Sequence, residues 1–201
     1  MIKRILTVVY SVILATLLWQ CGSVPSTYYY RVNTDDTPAT SANSPIPVVL
    51  AVGAFEADVV YESDRIVFRN SPFEVQYYHY RRWVAPPKKL VADAVLNRFK
   101  SAGAFREVLQ QPTTSETDYL LSGKILAFEE WDEADSWFGS VKIAFELYDA
   151  KTNDLVWQKT YSERKSATDK QPVEVVKSIS ESLDVVIQNA LSDVAARLTS
   201  R

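Results

Sequence analysis

Along the chain, apolar and polar positions alternate at recognisable periods only after residue 46, and most of the predicted elements follow from that stretch. The run PVVLAVGAF over 47–55 is continuously apolar, which predicts a central strand buried on both faces. Residues 64–69 alternate, with Ile66 and Phe68 on one side and Arg65, Val67 and Arg69 on the other. Phe73, Val75 and Tyr77 alternate again after Asn70-Ser71-Pro72, so two antiparallel strands around a short turn are expected. Pro86-Pro87 suits a first helical turn, because proline lacks the N–H that would be unsatisfied there. From Lys88, Leu90, Val91, Ala94, Val95, Phe99 and Ala102 recur at helical spacing, and Gly103 is placed to end the helix in a left-handed conformation.

A short strand over 105–109 and a loop over 110–115 follow, then long strands over 118–131 and 140–148. In the second of these Val141, Ile143, Phe145 and Leu147 face one way and Lys142 and Glu146 the other, the mark of one packed and one wet face. Residues 150–154 make a hairpin turn into a strand over 155–161. After Pro172 the residues Val176, Ile179, Leu183, Ile187, Ala190, Leu191, Val194 and Leu198 form an apolar stripe. Glu174, Lys177, Glu181, Asp184 and Arg197 lie outside it, so the helix covers its own sheet. The expected fold is α+β, a two-layer sandwich of a mixed, mostly antiparallel sheet with two helices on one face.

The first 45 residues follow different rules. Lys3 and Arg4 precede an apolar run over 5–18, which reads as a secretory signal over 1–20; an uncleaved membrane anchor is the alternative. Cys21 follows the run at once and is the only cysteine, so it cannot form an intramolecular disulfide. Lipidation at the start of the mature chain is the use that position suggests. Leu18 and Cys21 fit a bacterial lipoprotein signal, whereas Trp19 and Gln20 stand where small side chains are usual. Two or more acyl chains anchor stably where one binds marginally. Gly22 stands where an Asp would signal inner-membrane retention, so a lipid-anchored outer-membrane protein facing the periplasm is expected, with inner-membrane anchoring the alternative.

Residues 33–45, NTDDTPATSANSP, are polar and proline-punctuated, so 21–45 reads as a lipidated tether and 46–201 as a single domain. A flexible tether of that length reaches about 25–30 Å. Tyr28-Tyr29-Tyr30 interrupts it, either as an edge strand packed on the domain or as tyrosines near lipid headgroups.

Composition removes several functional classes. The 201 residues carry a net charge of -3 with scattered basic positions, which gives no footprint for nucleic acid. One histidine, His79, rules out an H-E-x-x-H zinc site, and a cysteine committed to the N-terminus removes Cys/His metal ligation. With five glycines in the chain, no phosphate-cradling loop or G-x-S-x-G elbow occurs, so no enzyme is expected. No cofactor is expected beyond a covalent lipid on Cys21. Two stretches are candidate partner contacts. One is Arg81-Arg82-Trp83 at the end of an aromatic strand; the other is the acidic hairpin tip over 129–138, with Trp131, Trp137 and Phe138. The tip lacks the glycine and alternating Asp/Asn spacing of a calcium loop.

The run RIVFRNSPFEVQYYHYRRWVAPPKKLVADAV resembles the ABC-type transport auxiliary lipoprotein family, in which an aromatic strand closes on a Trp followed by a proline turn and a helix. Trp83, Pro86, Pro87 and residues 90–95 match that order. So do Tyr28-Tyr29-Tyr30-Arg31, the DYLLSG stretch at 118–123, and YDAK at 148–151 leading to Leu155-Val156-Trp157. The resemblance implies a two-layer α+β fold. It also implies a non-catalytic accessory role in an ABC-type intermembrane lipid transport system, with a permease, an ATPase and a mammalian-cell-entry-type periplasmic protein as partners. The alternative is a stand-alone envelope lipoprotein that binds a hydrophobic ligand or assists outer-membrane assembly.

Overall fold

The computed structural model describes residues 25–34 and 44–200. The expected signal, Cys21 and most of the polar linker lie outside the described residues. The strands are β1 (Tyr28–Tyr30), β2 (Ile46–Ala57), β3 (Arg65–Arg69), β4 (Gln76–Trp83), β5 (Phe105–Gln110), β6 (Tyr119–Asp132), β7 (Trp137–Asp149) and β8 (Leu155–Ser166). The helices are α1 (Pro87–Ser101) and α2 (Pro172–Thr199), with a 3-10 turn at Val59–Tyr61. This is an α+β fold on one mixed sheet.

Strand β6 is the spine. Along one edge it pairs antiparallel with β7 from Tyr119↔Asp149 to Asp132↔Trp137. Along the other it takes two strands end to end, both parallel to it: β2 from Leu50↔Tyr119 to Ala57↔Ile125, then β3 from Val67↔Glu129 to Arg69↔Trp131. Between them the chain leaves the sheet through Asp58, whose N–H donates to the Ile125 carbonyl at 3.0 Å and whose carboxylate meets Lys124 at 2.7 Å. Outward from this spine, β5 lies parallel on β2, β4 antiparallel on β3, β1 parallel on β4, and β8 antiparallel on β7. The long ladders are the antiparallel ones; the parallel pairings are short.

The middle of the apolar run of β2, residues 49–52, is buried as its composition predicts, with Leu50 and Ala51 fully shielded between two neighbouring strands, whereas Pro47 and Ala54 of the same run are exposed. Strand β7 buries Val141, Ile143, Phe145 and Leu147 completely, as its alternation predicts. Helix α1 closes over β2 and β5 with Val91, Val95 and Phe99, and Gly103 ends it at φ +59°. Helix α2 covers β7 and β8 with the whole predicted stripe. One core cluster joins the helices and sheet.

Two local expectations differ. The turn between β3 and β4 is longer than the alternation suggests, and β4 begins at Gln76. Pro72 gives the turn no ladder donor, the Ser71 hydroxyl accepts from the Phe73 N–H at 3.2 Å, and Phe73 stands 96% exposed. The buried face of α2 also carries Ser178, Ser180 and Ser182. The Ser180 hydroxyl accepts from the Asn33 N–H at 3.2 Å, whereas Ser178 and Ser182 let the helix touch β7 at Gly139, whose carbonyl accepts from the Ser182 hydroxyl at 3.0 Å.

That approach leaves no room for a side chain. A Cβ on Gly139 would stand 2.3 Å from the Ile179 nitrogen and 2.5 Å from the Ser178 carbonyl carbon. Gly139→Ala is therefore expected to lower unfolding stability by about 1–3 kcal/mol through helix displacement. At Gly103 nothing lies within 4 Å, so Gly103→Ala should cost about 1 kcal/mol from its left-handed backbone. Urea unfolding of both variants measures the difference; equal losses would mean that the α2 contact at Gly139 adapts.

Candidate interaction surface

Strand β4 lies between β3 and β1 and carries the aromatic and basic stretch. Its last residue corrects one expectation: Trp83 is 1% exposed and packs its ring on Phe128 at 5.1 Å, so it presents nothing to a partner. A large ring at the point where β4 enters the proline turn is taken into the core cluster, and burial wins over contact. Arg82 is held by Asp64, with Nη1 at 2.9 and 3.2 Å from the two carboxylate oxygens. Arg81 lies over the Tyr78 ring at 5.1 Å, a cation–π contact on a half-buried surface. His79 and Tyr80 are exposed neighbours, with ring centroids 6.3 Å apart. Together with Pro25, Ser26, Tyr28 and Tyr78, these residues line an open groove of about 460 Å³.

The acidic tip resolves into separate parts because a strand sends successive side chains to opposite faces. Glu129 points to one face, where its Oε2 accepts from Arg69 Nε at 2.6 Å and from the Tyr61 hydroxyl. Arg69 also donates to that hydroxyl at 3.1 Å. Glu130 points to the other face, is 1% exposed, and accepts from the Tyr78 hydroxyl at 2.9 and 3.1 Å. Burial, then a hydrogen bond to Asp132, pushes its carboxyl up to about 8, against the opposing pull of Tyr78 and Arg81. Burial thus favours the protonated form of Glu130. Burial and the neighbouring carboxylates raise the phenols of Tyr61 and Tyr78 well above the usual tyrosine range, so both remain donors.

Beyond these carboxylates, Arg164 closes the tip. Its guanidinium lies 4.0 Å from the Phe138 centroid and 5.6 Å from that of Trp131, and it pairs with Glu133. Trp137 is half-buried against the core, and its carbonyl accepts from Ala167 N–H at 2.8 Å. Trp131, Trp137 and Phe138 are therefore engaged inside the domain, as is Arg82. Arg81, with the exposed His79 and Tyr80, faces the open groove.

Composition alone does not reveal the Tyr61–Arg69–Glu129 trio, whose members come from three elements. A usable signal exists in Phe128-Glu129-Glu130: on a strand already burying Phe128, two adjacent carboxylates cannot both face water. The arrangement supplies hydrogen-bond donors to two buried acids.

The family model of the ABC-type transport auxiliary lipoprotein component matches residues 30–190. The chain belongs to that family. The sequence resemblance in β4, the proline turn and α1 thus extends through the sheet and most of α2. Among solved structures, a Xanthomonas campestris protein superposes with a TM-score of 0.76 at 19% identity, covering 86% of this chain and 98% of its own. An uncharacterized protein gives a TM-score of 0.68 at 11% identity over 85% of this chain and 99% of its own. A hypothetical protein from Chlamydia trachomatis gives 0.51 at 8% identity, covering 77% and 99%. At these identities the likeness is one of fold. No curated protein sequence matches the chain. The auxiliary lipoproteins of this family serve ABC-type transport.

The buried acid gives the auxiliary component a pH-dependent stability. With its folded value near 8 against an ordinary 4.5, Glu130 holds an extra proton in the folded state between those limits. Stability from this group is full below about pH 4.5 and falls as pH rises towards 8. Glu130→Gln reproduces the donor and acceptor of the neutral acid without the proton. It should be nearly silent at pH 5 and stabilising at pH 8, by an amount on the order of a few kcal/mol. Denaturant titrations at the two values test this; a constant difference between variant and wild type would show that Glu130 does not titrate there.

Proposed function

We propose that this protein is a non-catalytic accessory lipoprotein of an ABC-type intermembrane lipid transport system. Acylated Cys21 holds it at the outer membrane, facing the periplasm, where it docks or positions a mammalian-cell-entry-type tunnel protein. The family match over residues 30–190 carries this reading. It is supported by a single cysteine set directly after the apolar run and followed by Gly22. The mechanism is tethering: a lipid anchor confines the domain to a thin layer and raises its effective concentration against a partner in the same layer.

Side-chain packing favours docking over the storage of a hydrophobic ligand. Leu50, Val91, Phe99, Ile179, Val186 and Phe145 meet between helices and sheet and are fully shielded from solvent. The buried acids likewise bind to phenols and a guanidinium within the domain, which supports an accessory role rather than catalysis.

Co-purification from solubilised membranes after mild cross-linking tests the reading. Wild-type protein should bring down a mammalian-cell-entry-type protein together with an ATPase and a permease, and intact mass should give a chain starting at acylated Cys21. Cys21→Ser should leave the membrane fraction and lose most of that recovery. Acylated protein recovered without such a partner would overturn the docking role, whereas an unmodified chain retaining Met1 would overturn the anchor.

A further inference from the structure

The position of β1 sets where a lipid anchor must lie. Strand β1 runs parallel to β4, with Tyr28 opposite Arg81 and Tyr30 opposite Trp83. The chain therefore pairs with the last three residues of β4 and approaches them from the side on which β4 begins, where Pro25 and Ser26 line one groove with Tyr78, His79 and Tyr80. Four peptide units separate Cys21 from Pro25, a reach of at most about 14 Å. Pinning Tyr28–Tyr30 to the sheet thus replaces a long tether with a short one, and the domain does not stand off by the 25–30 Å that a free segment over 21–45 allows.

The same end of the sheet collects unpartnered apolar surface. Phe68 pairs with Gln76, so the β3–β4 turn, with its 96% exposed Phe73, lies at the end of the sheet where β4 begins. Tyr28 and Tyr80 are 61% and 45% exposed. Arg81 flanks the groove and can reach a phosphate oxygen from over the Tyr78 ring. Amphipathic rings with basic neighbours suit the headgroup layer, where the ring body meets acyl chains and the hydroxyl meets water. The β7–β8 turn at Lys151, by contrast, lies at the far end of β7.

We infer that the groove of Pro25, Ser26, Tyr28, Tyr78, His79, Tyr80 and Arg81, with Phe73 on the turn that precedes β4, docks on the headgroup layer of the membrane that holds the acylated Cys21. The inference rests on the lipid anchor of the proposed function and adds an orientation to it: the β1–β4 end lies on the bilayer, and the β7–β8 turn projects away.

The single cysteine makes a direct test available. Once Cys21 is acylated, Tyr80→Cys or Lys151→Cys is the one free thiol in the full chain and takes a nitroxide label. Labelled protein is reconstituted into vesicles of phosphatidylethanolamine and phosphatidylglycerol, with intact mass confirming the acyl chains. The label at position 80 should lose most of its collisions with a water-soluble nickel chelate and gain collisions with oxygen, while the label at position 151 stays open to the chelate. Phe73→Cys removes a side chain with almost no packing and replaces Tyr80→Cys if that variant loses its native circular dichroism. Acylated protein whose label at 80 or 73 is as open to the chelate as that at 151 would overturn the inference and leave the anchor standing. A chain without acylation at Cys21 would overturn both.

Discussion

Strand β6 is hydrogen-bonded along both edges, and the placement of every other element follows from how its edges are shared. On one side β7 runs its full length and brings β8 and the base on which α2 rests. On the other side no single strand suffices. β2 occupies the first part and β3 the last, and the excursion at Asp58 lets one direction of chain resume after a break. This division splits the molecule into a helix-covered half around β2 and β5 and an aromatic half around β3, β4 and β1. The two halves are joined by the spine and by the core cluster they share.

Much of this was legible in the order of side chains. Alternation located β7, a continuous apolar run located β2, and spacing with flanking Pro and Gly located α1 between Pro87 and Ser101. Each of those signals is local, and each element uses a single burial rule. The pairing of β2 and β3 on one edge of β6 was not legible, because parallel pairing leaves no turn signature between partners. The serines of α2 were hidden for another reason: an apolar stripe counts methylenes, whereas the contact at Gly139 depends on their absence. Burial of Trp83 likewise depends on what surrounds the end of β4, and neighbouring Arg residues gave it the look of a surface group.

The candidate site was legible in composition and not in arrangement. Residues 129–138 read as one acidic, aromatic patch, yet the strand pleat sends Glu129 to Tyr61 and Arg69 and Glu130 to Tyr78. Isolated buried carboxylates are costly, and each of these is accommodated by a different device: one by a guanidinium and a phenol, the other by keeping its proton. Tyrosines placed on β4 and in the 3-10 turn therefore serve as internal donors. The aromatic richness that marks this family has a structural explanation in this half of the sheet, leaving the exposed tyrosines near β1 as the part that faces outward.

The shortness of β1 has a mechanical consequence. Three residue pairs with β4 fasten the segment before β2 to one edge of the sheet, and the Asn33 N–H, donating to the Ser180 hydroxyl at 3.2 Å, fastens it again to α2. The two attachments differ in kind, a backbone ladder and a side-chain acceptor on a helix, so residues 28–33 act as a strap that ties the aromatic edge of the sheet to the helix layer.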